Sequence, residues 1–354
     1  GTSMDGVDAS IIQSDGETYC KTVYDKFFEY NKGLFENLTN LRDKINHSKD
    51  IISLSDEIEA FDKEITFFHA QLSNKIIVET GIEIDLIGFH GQTIFHNVKE
   101  KISKQLGNAN LLSQLTLKSV VYNFRQNDLN NGGEGAPLTP IYHKQLVESL
   151  EKQKKIKTPV SILNIGGIAN ITSIDEDFKM SSMDIGPGNC LIDKWIRTNS
   201  EIKYDNNGDI AKSGKIDKFI LEQSLDSFYN KSVSKKKSLD LHDFDISFAR
   251  GLSFENGTST ITEYTADILS KKIFDNDTYI SGGGRKNKFL IESIQKKVKK
   301  KIKNIDDLGI DGDFIESQAF GYLAIRSFLN LPISFPETTG CKNQSTGGVL
   351  VKNY

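Results

Sequence analysis

Cysteine is scarce in this chain. Cys20, Cys190 and Cys341 are odd in number and far apart, which leaves no disulfide framework and no cysteine-based metal spacing, and fits a reducing compartment. No apolar run approaches the roughly 20 residues that a membrane-spanning helix needs. No signal-type segment opens the sequence. The expected location is therefore the cytoplasm, with no membrane partner. Neither sign of charge dominates: 44 Lys and Arg stand against 48 Asp and Glu, so no nucleic-acid partner is expected. Arginine is the rarer cation, present only as Arg42, Arg125, Arg197, Arg250, Arg285 and Arg326. One that falls inside a motif is worth locating, because its planar fork does what lysine cannot. Two phosphate-binding signatures are missing, G-x-x-x-x-G-K-[ST] and G-x-G-x-x-G, so a P-loop NTPase or a dinucleotide oxidoreductase is unsupported. No internal repeat is evident.

What is present is enough chain for two domains: 354 residues with 37% hydrophobic content. The stretch from Ser161 to Asp193 organises it. S-I-L-N-I-G-G-I-A-N-I-T reads as a hairpin of two buried strands. M-D-I-G-P-G-N-C-L-I-D then reads as a strand that turns sharply at Gly186-Pro187-Gly188 and enters a helix near Leu191. Asp184 falls near the end of that strand, where open α/β sheets bind ligands. Glycines let the backbone approach a ligand, and free N–H groups at a turn or helix start attract phosphate. The segment is either a phosphate-facing loop carrying an acid or base, or a tight strand-helix turn with a surface Asp.

Taken in order, Gly1-Thr2-Ser3-Met4-Asp5-Gly6-Val7-Asp8 feeds a strand from Ala9 to Gln13 and resembles a phosphate-wrapping tip. A strand is expected before such a loop; without one the loop is either truncated or a frayed terminus. Tyr24 to about Thr80 reads as helical, with Ile58, Phe61, Ile65, Phe68, Leu72 and Ile76 forming one stripe. Ser53 and Ser55 are candidate caps, Gly81 the terminator, and His69 a packing residue. Ile84 to Phe89 reads as a strand, followed by His90-Gly91-Gln92-Thr93, either a binding loop or a strand-end turn. Leu115 to Phe124 is a further expected strand. It delivers Arg125, either a clamp for a carboxylate or phosphate or an ion pair with Asp128. The Gly/Pro-rich connector from Asn130 to Pro137 is the expected hinge. Helices are expected at Ile216–Asp226, Ser259–Lys272 and Glu316–Leu329, and a charged helix tail at Lys296–Lys303. Lys231–Lys237 reads as a solvated lysine-rich stretch. Ser281-Gly282-Gly283-Gly284-Arg285 follows a strand at Thr278–Ile280 and precedes a helix, a second place for a nucleotide to approach.

Together these motifs resemble one family. G-T-S-M-D-G-V-D, F-H-G-Q-T, F-R-x-x-D with G-G-x-G-A-P-L, N-I-G-G-I-A-N, D-x-G-P-G-N, G-G-G-x-x-N and E-x-x-A-F-x-x-L-A-x-R, then T-G, occur in that order. This is the pattern of the anhydro-N-acetylmuramic acid kinases, and it spans nearly the whole chain. The resemblance implies the α/β fold of actin, Hsp70 and the sugar kinases, with two domains facing each other across a nucleotide cleft. The domains are expected at 1–128 with 337–354, and at 129–336. It implies ATP and Mg²⁺, a small-molecule sugar and a homodimer. The reaction it implies opens 1,6-anhydro-N-acetylmuramic acid with water and phosphorylates O6.

Residue by residue, the resemblance implies that Gly1, Thr2, Ser3, Met4, Asp5, Gly6, Val7 and Asp8 form the ATP phosphate loop. Gly186, Gly188, Asn189, Gly282, Gly283 and Gly284 also face the nucleotide. Asp184 is the general base, and Glu316 a second catalytic carboxylate near the sugar. His90, Gln92, Thr93, Arg125 and Asp128 lie on the substrate side. The metal ligands are not implied. Asn123 stands where the family has Asp, and Ser259-Thr260-Ile261-Thr262 where it has Ala-Thr-Leu-Thr. The competing readings are a kinase or ATPase of the same fold with another sugar, and an inactive sugar- or nucleotide-binding relative. A substrate panel separates the first, and nucleotide binding without turnover identifies the second.

Overall fold

The computed structural model describes residues 4–230, 239 and 243–353. Gly1, Thr2, Ser3 and the lysine-rich stretch at 231–237 lie outside the described residues. The chain divides into two compact units, Gly1–Ser149 with Glu316–Tyr354, and Leu150–Ile315.

The first unit opens with a two-stranded antiparallel ribbon, β1 (Gly6–Ser14) against β2 (Cys20–Glu29). Helical structure therefore begins later than Tyr24. The run C-K-T-V-Y-D-K-F-F-E is rich in β-branched and aromatic residues and alternates in exposure, which suits a strand. Helices Lys32–Lys44, Ser48–Ser53 and Ser55–Thr80 follow. The longest buries Ile58, Ile65, Leu72 and Ile76 along one stripe, and Gly81 ends it in the left-handed conformation at φ 63°. Its N-cap position is Leu54, which makes no side-chain cap bond, and Ser53 donates instead to the Asp50 carbonyl. The candidate serine caps are thus not used. His69 packs edge-on against Phe89, 4.9 Å between ring centres, as a packing residue does.

β3 (Leu86–Phe89) runs parallel to β6 (Ser119–Tyr122), which pairs antiparallel with β12 (Val349–Val351). Between them β4 (Gln92–Asn97) and β5 (Ile102–Leu106) form a second ribbon. Leu115 and Thr116 belong to the helix Ala109–Thr116, and Leu117 in the left-handed region turns the chain into β6. Helix Ile315–Phe328 carries Phe320 and Ala324 against Gly88 of β3.

The second unit holds one five-stranded sheet, in the order Ile302–Asn304, Asp277–Ser281, Val160–Ile165, Ile168–Ile174, Met180–Pro187. β7 (Val160–Ile165) and β8 (Ile168–Ile174) form the hairpin, β9 (Met180–Pro187) extends it antiparallel, and β10 (Asp277–Ser281) and β11 (Ile302–Asn304) add in parallel. One face of the hairpin, Leu163, Ile165, Ala169 and Ile171, shares a core with Ala266, Leu269, Leu290 and Ile294 from helices Phe254–Ser270 and Lys288–Gln295. Each fully buried Leu or Ile side chain there contributes roughly 1.5–3 kcal/mol of transfer free energy. A separate core gathers Trp195 and Ile196 of helix Cys190–Asn199 with Ile261, Tyr264 and Ile268. The expected helix tail after Lys296 is not helical: the helix stops at Gln295, and Ile302 enters β11 because its apolar side chain completes the sheet core.

The boundaries fall at 149/150 and 315/316, not at 128/129 and 336/337. The Gly/Pro connector is part of the first unit because its backbone is tied there. Asp128 accepts from the Gly135 N–H at 2.6 Å, the Glu134 N–H donates to the Thr339 carbonyl at 2.9 Å, and His96 Nε2 lies 3.0 Å from the Glu134 carbonyl.

Candidate active site

The hairpin motif N-I-G-G-I-A-N is symmetrical about its glycines, so the register sets Asn164 directly opposite Asn170. Asn164 is also opposite Ser281 of β10, and Asn170 opposite Asp184 of β9. Directly opposed residues share a face of the sheet. Ser281, Asn164, Asn170 and Asp184 therefore form a polar row across four strands, at the loop end of β7 and β10. A register shift between Ala169 and Asn170 leaves Ile185 as the extra residue on β9. Such bulges re-aim neighbouring side chains and recur beside active sites. Asp184 is half-buried, and its Oδ2 accepts the Leu239 N–H at 2.8 Å. Asn170 Oδ1 is buried and has no hydrogen-bond partner among the described residues. A buried acceptor left unmet costs about 1–3 kcal/mol, so it marks a place where something else donates.

The Gly-Pro-Gly turn after Asp184 behaves differently from the sequence expectation. The N–H groups of Gly188 and Asn189 donate to the Gly167 and Gly166 carbonyls at 2.9 and 2.8 Å, and that of Cys190 to Gly167 at 3.1 Å. These donors are spent inside the protein and are not available to phosphate. Gly186 serves packing: a Cβ there would come within 2.5 Å of Ile268 Cγ2.

The Gly282–Gly284 turn is the more open of the two. Gly282 holds φ 76°, and a Cβ on it would sit 2.5 Å from Asn164 Oδ1. Its N–H donates to the Gly312 carbonyl at 3.0 Å and its own carbonyl accepts from Arg285 at 3.1 Å. Gly283 starts the 3₁₀ turn Gly283–Lys286, whose first N–H groups have no partner within the turn. A Cβ on Gly283 would meet only the Asn189 amide nitrogen, at 3.9 Å. The fold thus brings Asn189, Gly282–Gly284 and the polar row together within the second unit. Asn164, Asn170 and Ser281 were not among the expected site residues; the signal was the mirrored asparagines of N-I-G-G-I-A-N.

In the first unit Gly1, Thr2 and Ser3 lie outside the described residues. The Met4 side chain is 1% exposed and packs with Leu34, Leu38, Ile94 and Leu106 in the core of the first unit. Asp5 and Asp8 are exposed, and Gly6, Val7 and Asp8 lie on β1. Of the His90-Gly91-Gln92-Thr93 motif, only His90 and Gly91 form the turn, since Gln92 and Thr93 begin β4. Gln92 is buried, and Thr93 Oγ1 accepts from Gln105 at 3.3 Å.

His90 and Arg125 meet. Arg125 Nε donates to His90 Nε2 at 3.0 Å, and His90 Nδ1 lies 2.9 Å from the Gly91 carbonyl. A guanidinium only donates, so Nε2 is the acceptor and Nδ1 carries the proton. Burial and then the neighbouring Arg125 charge hold the His90 pKa well below its ordinary value, which keeps the ring neutral. Arg125 Nη1 donates to the Gly135 carbonyl at 2.9 Å, and the guanidinium rests 5.8 Å from the Phe320 ring centre. Asp128 follows in the short helix Gln126–Asn130. It is fully buried, and its carboxylate accepts from the Gly135 N–H and the Thr339 hydroxyl, each at 2.6 Å. It braces the connector whose Gly135 carbonyl holds Arg125. Glu316 is exposed in the first turn of helix Ile315–Phe328.

Among the described residues no group of three His, Cys, Asp or Glu could hold a metal ion. No helix is long and apolar enough to cross a membrane.

The family model for anhydro-N-acetylmuramic acid kinase matches residues 1–353. An anhydro-N-acetylmuramic acid kinase of Pelagibacter ubique is 53% identical over 369 residues, covering 100% of this chain and 97% of its own length. One of Brucella canis is 35% identical across 99% of this chain and 96% of its own. One of Rhodospirillum rubrum is 33% identical across 98% and 91%. The chain is accordingly a kinase with a mixed α/β architecture: it belongs to the anhydro-N-acetylmuramic acid kinase family.

Proposed function

We propose that this kinase uses ATP to convert 1,6-anhydro-N-acetylmuramic acid to N-acetylmuramate 6-phosphate, in the recycling of cell-wall sugar in the cytoplasm, as a homodimer. Water attacks C1, the C1–O6 bond breaks, and O6 attacks the γ-phosphorus as ADP leaves. Asp184 takes the proton from water. Positioned general bases are worth roughly 10²–10⁴-fold, and opening the ring leaves O6 with the charge that makes it a nucleophile. The observation that carries this reading is the placement of Asp184, beside a bulge and opposite the unmet oxygen of Asn170. Asn170 offers that oxygen to a donor arriving from the ligand, and water is one such donor.

The Gly282–Gly284 turn, with Asn189 beside it, takes the nucleotide. Gly283 leaves space where a side chain would otherwise stand. Gly1 to Asp8 forms the phosphate loop, and within it the Met4 side chain is seated in the core of the first unit. Arg125 binds the lactyl carboxylate of the sugar. His90 occupies its Nε side, so the carboxylate meets the Nη edge of the guanidinium. Neutral His90 orients that guanidinium without competing for the anion. Glu316 stands at the sugar as a second carboxylate. Mg²⁺ does not require a three-residue protein cluster, because this ion is held chiefly by phosphates and water with one or two carboxylates. The exposed Asp5 and Asp8 would provide those carboxylates. When bound, the ion neutralises phosphate charge.

The test is a product analysis with ATP, Mg²⁺ and the anhydro sugar. The expected result is one ADP per N-acetylmuramate 6-phosphate. A phosphorylated sugar with its anhydro ring intact, or turnover confined to a different amino sugar, would overturn the reading.

A further inference from the structure

Arg285 is the least exposed charged side chain in the neighbourhood of the glycine turn, at 3%. Each of its three nitrogens is engaged. Nε meets Asp306 Oδ1 and Oδ2 at 3.0 and 3.1 Å, Nη2 meets Asp311 at 3.2 Å, and Nη1 serves both Asp313 and the Gly282 carbonyl, the latter at 3.1 Å. The same three aspartates belong to one segment that also touches the turn directly. Gly312 gives its carbonyl to the Gly282 N–H, and its N–H goes to Asp306 Oδ1 at 2.9 Å. Lys286 adds a second cation on Asp313. A Cβ on Gly312 would come 2.8 Å from Arg285 Nε, so the segment is seated against the guanidinium. Burial by itself would raise the Asp313 carboxyl, and the Arg285 and Lys286 charges together outweigh it and hold it below its ordinary value.

We propose that Arg285 is a positioning residue for the nucleotide: it fixes the Gly282–Gly284 turn to the Asp306–Asp313 segment so that Gly283 and Gly284 present their backbone to ATP. This rests on the reading of that turn as the nucleotide side. The physical reason is specific to the guanidinium. Both polar groups of Gly282 are spent, one on Gly312 and one on Arg285, so the turn has no freedom to swing while the fork is intact. A lysine has no fork. It can keep one ion pair but cannot hold the Gly282 carbonyl and three carboxylates at once. Each lost contact frees a φ-positive glycine, the backbone type with most freedom to recover. The cost should fall on ATP binding, because the turn is the part of the site read as meeting the nucleotide.

The test compares Arg285→Lys, Arg285→Met and Gly283→Val by calorimetry with a non-hydrolysable ATP analogue and by steady-state kinetics in both substrates. Gly283→Val probes the turn itself, since a branched side chain there fills the open space. The expected result is weaker nucleotide binding in all three, with Arg285→Lys raising KM for ATP about tenfold while kcat and the sugar KM stay within about twofold. If Gly283→Val weakens ATP but Arg285→Lys binds it as the wild type does, the role of Arg285 is refuted and the nucleotide reading of the turn stands. If Gly283→Val binds ATP normally, that reading fails and this inference falls with it. Equal losses for ATP and sugar would make Arg285 a general stabilising residue and also refute the proposal. Should Arg285→Met not fold, Arg285→Lys, which retains the charge, still decides among these outcomes.

Discussion

Replacing Asp128 with Asn separates a brace from a ligand. The side chain is fully buried, with the Gly135 N–H and the Thr339 hydroxyl each 2.6 Å from a carboxylate oxygen. Both bonds go to an ionised acceptor, the stronger class at roughly 1.5–3 kcal/mol each. An amide keeps one oxygen, now uncharged, and turns its NH₂ toward the other donor. Both charge-assisted bonds are lost, the Gly135 N–H keeping only a neutral acceptor and the Thr339 hydroxyl being forced from donor to acceptor, at a combined cost of about 3 kcal/mol. For a folding unit of 150–250 residues that lowers Tm by about 6–12 °C. Gly135 also holds Arg125 through its carbonyl, so the sugar KM should rise as the connector loosens while ATP binding is spared. The assay is a thermal melt followed by far-UV circular dichroism, because the single Trp195 reports on the other unit. An Asp128→Asn protein with wild-type Tm and a raised sugar KM would refute the brace and restore Asp128 to the substrate.

Two further predictions concern buried polar groups. Burial pushes the pKa of His143, which is 1% exposed, down to about 4. The unfolded chain then binds a proton below about pH 6.5 that the folded one refuses, so stability falls as pH drops through that range; at about pH 5 the loss from this residue is about 2 kcal/mol. Urea titrations should show His143→Gln losing about 2 kcal/mol less than wild type between about pH 7.5 and pH 5, and equal losses would contradict the assignment. Ser259 stands where the family has alanine, 1% exposed with an Oγ that has no partner among the described residues. Ser259→Ala should therefore stabilise the protein by about 1–2 kcal/mol in a melt, and a destabilised variant would mean that the hydroxyl is satisfied.

Much of this was legible in the sequence where local pattern and tertiary role agree. The alternation and paired glycines of Ser161–Asp193 define a hairpin, a strand and a helix start, and β7, β8, β9 and helix Cys190–Asn199 follow them. The stripe from Ile58 to Ile76 and the glycine stop at Gly81 likewise locate one helix. Failures arose where partners decide. Tyr24–Glu29 is a strand because β1 lies beside it, and Ile302 leaves the lysine-rich tail because the sheet core accepts it. Motif residues were found by chemistry, but whether their groups remain available depends on contacts distant in sequence. Thr339 occupies Asp128, the core swallows Met4, and the Gly166 and Gly167 carbonyls take the N–H groups after Gly186. The polar row of Ser281, Asn164, Asn170 and Asp184 comes from register across four strands, which no single segment encodes.

On the proposed mechanism Asp184 is the base for water attack, and ring opening and phosphoryl transfer are one coupled event. Asp184→Asn keeps the shape of the side chain and an oxygen for the Leu239 N–H but cannot take a proton. Assayed for sugar product beside a melting curve and ATP titration, it should fold and bind nucleotide normally while ring opening and phosphorylation are lost together, by about 10²-fold or more. A stably folded Asp184→Asn protein that still makes N-acetylmuramate 6-phosphate at near the wild-type rate would contradict the account and pass the role of base to Glu316.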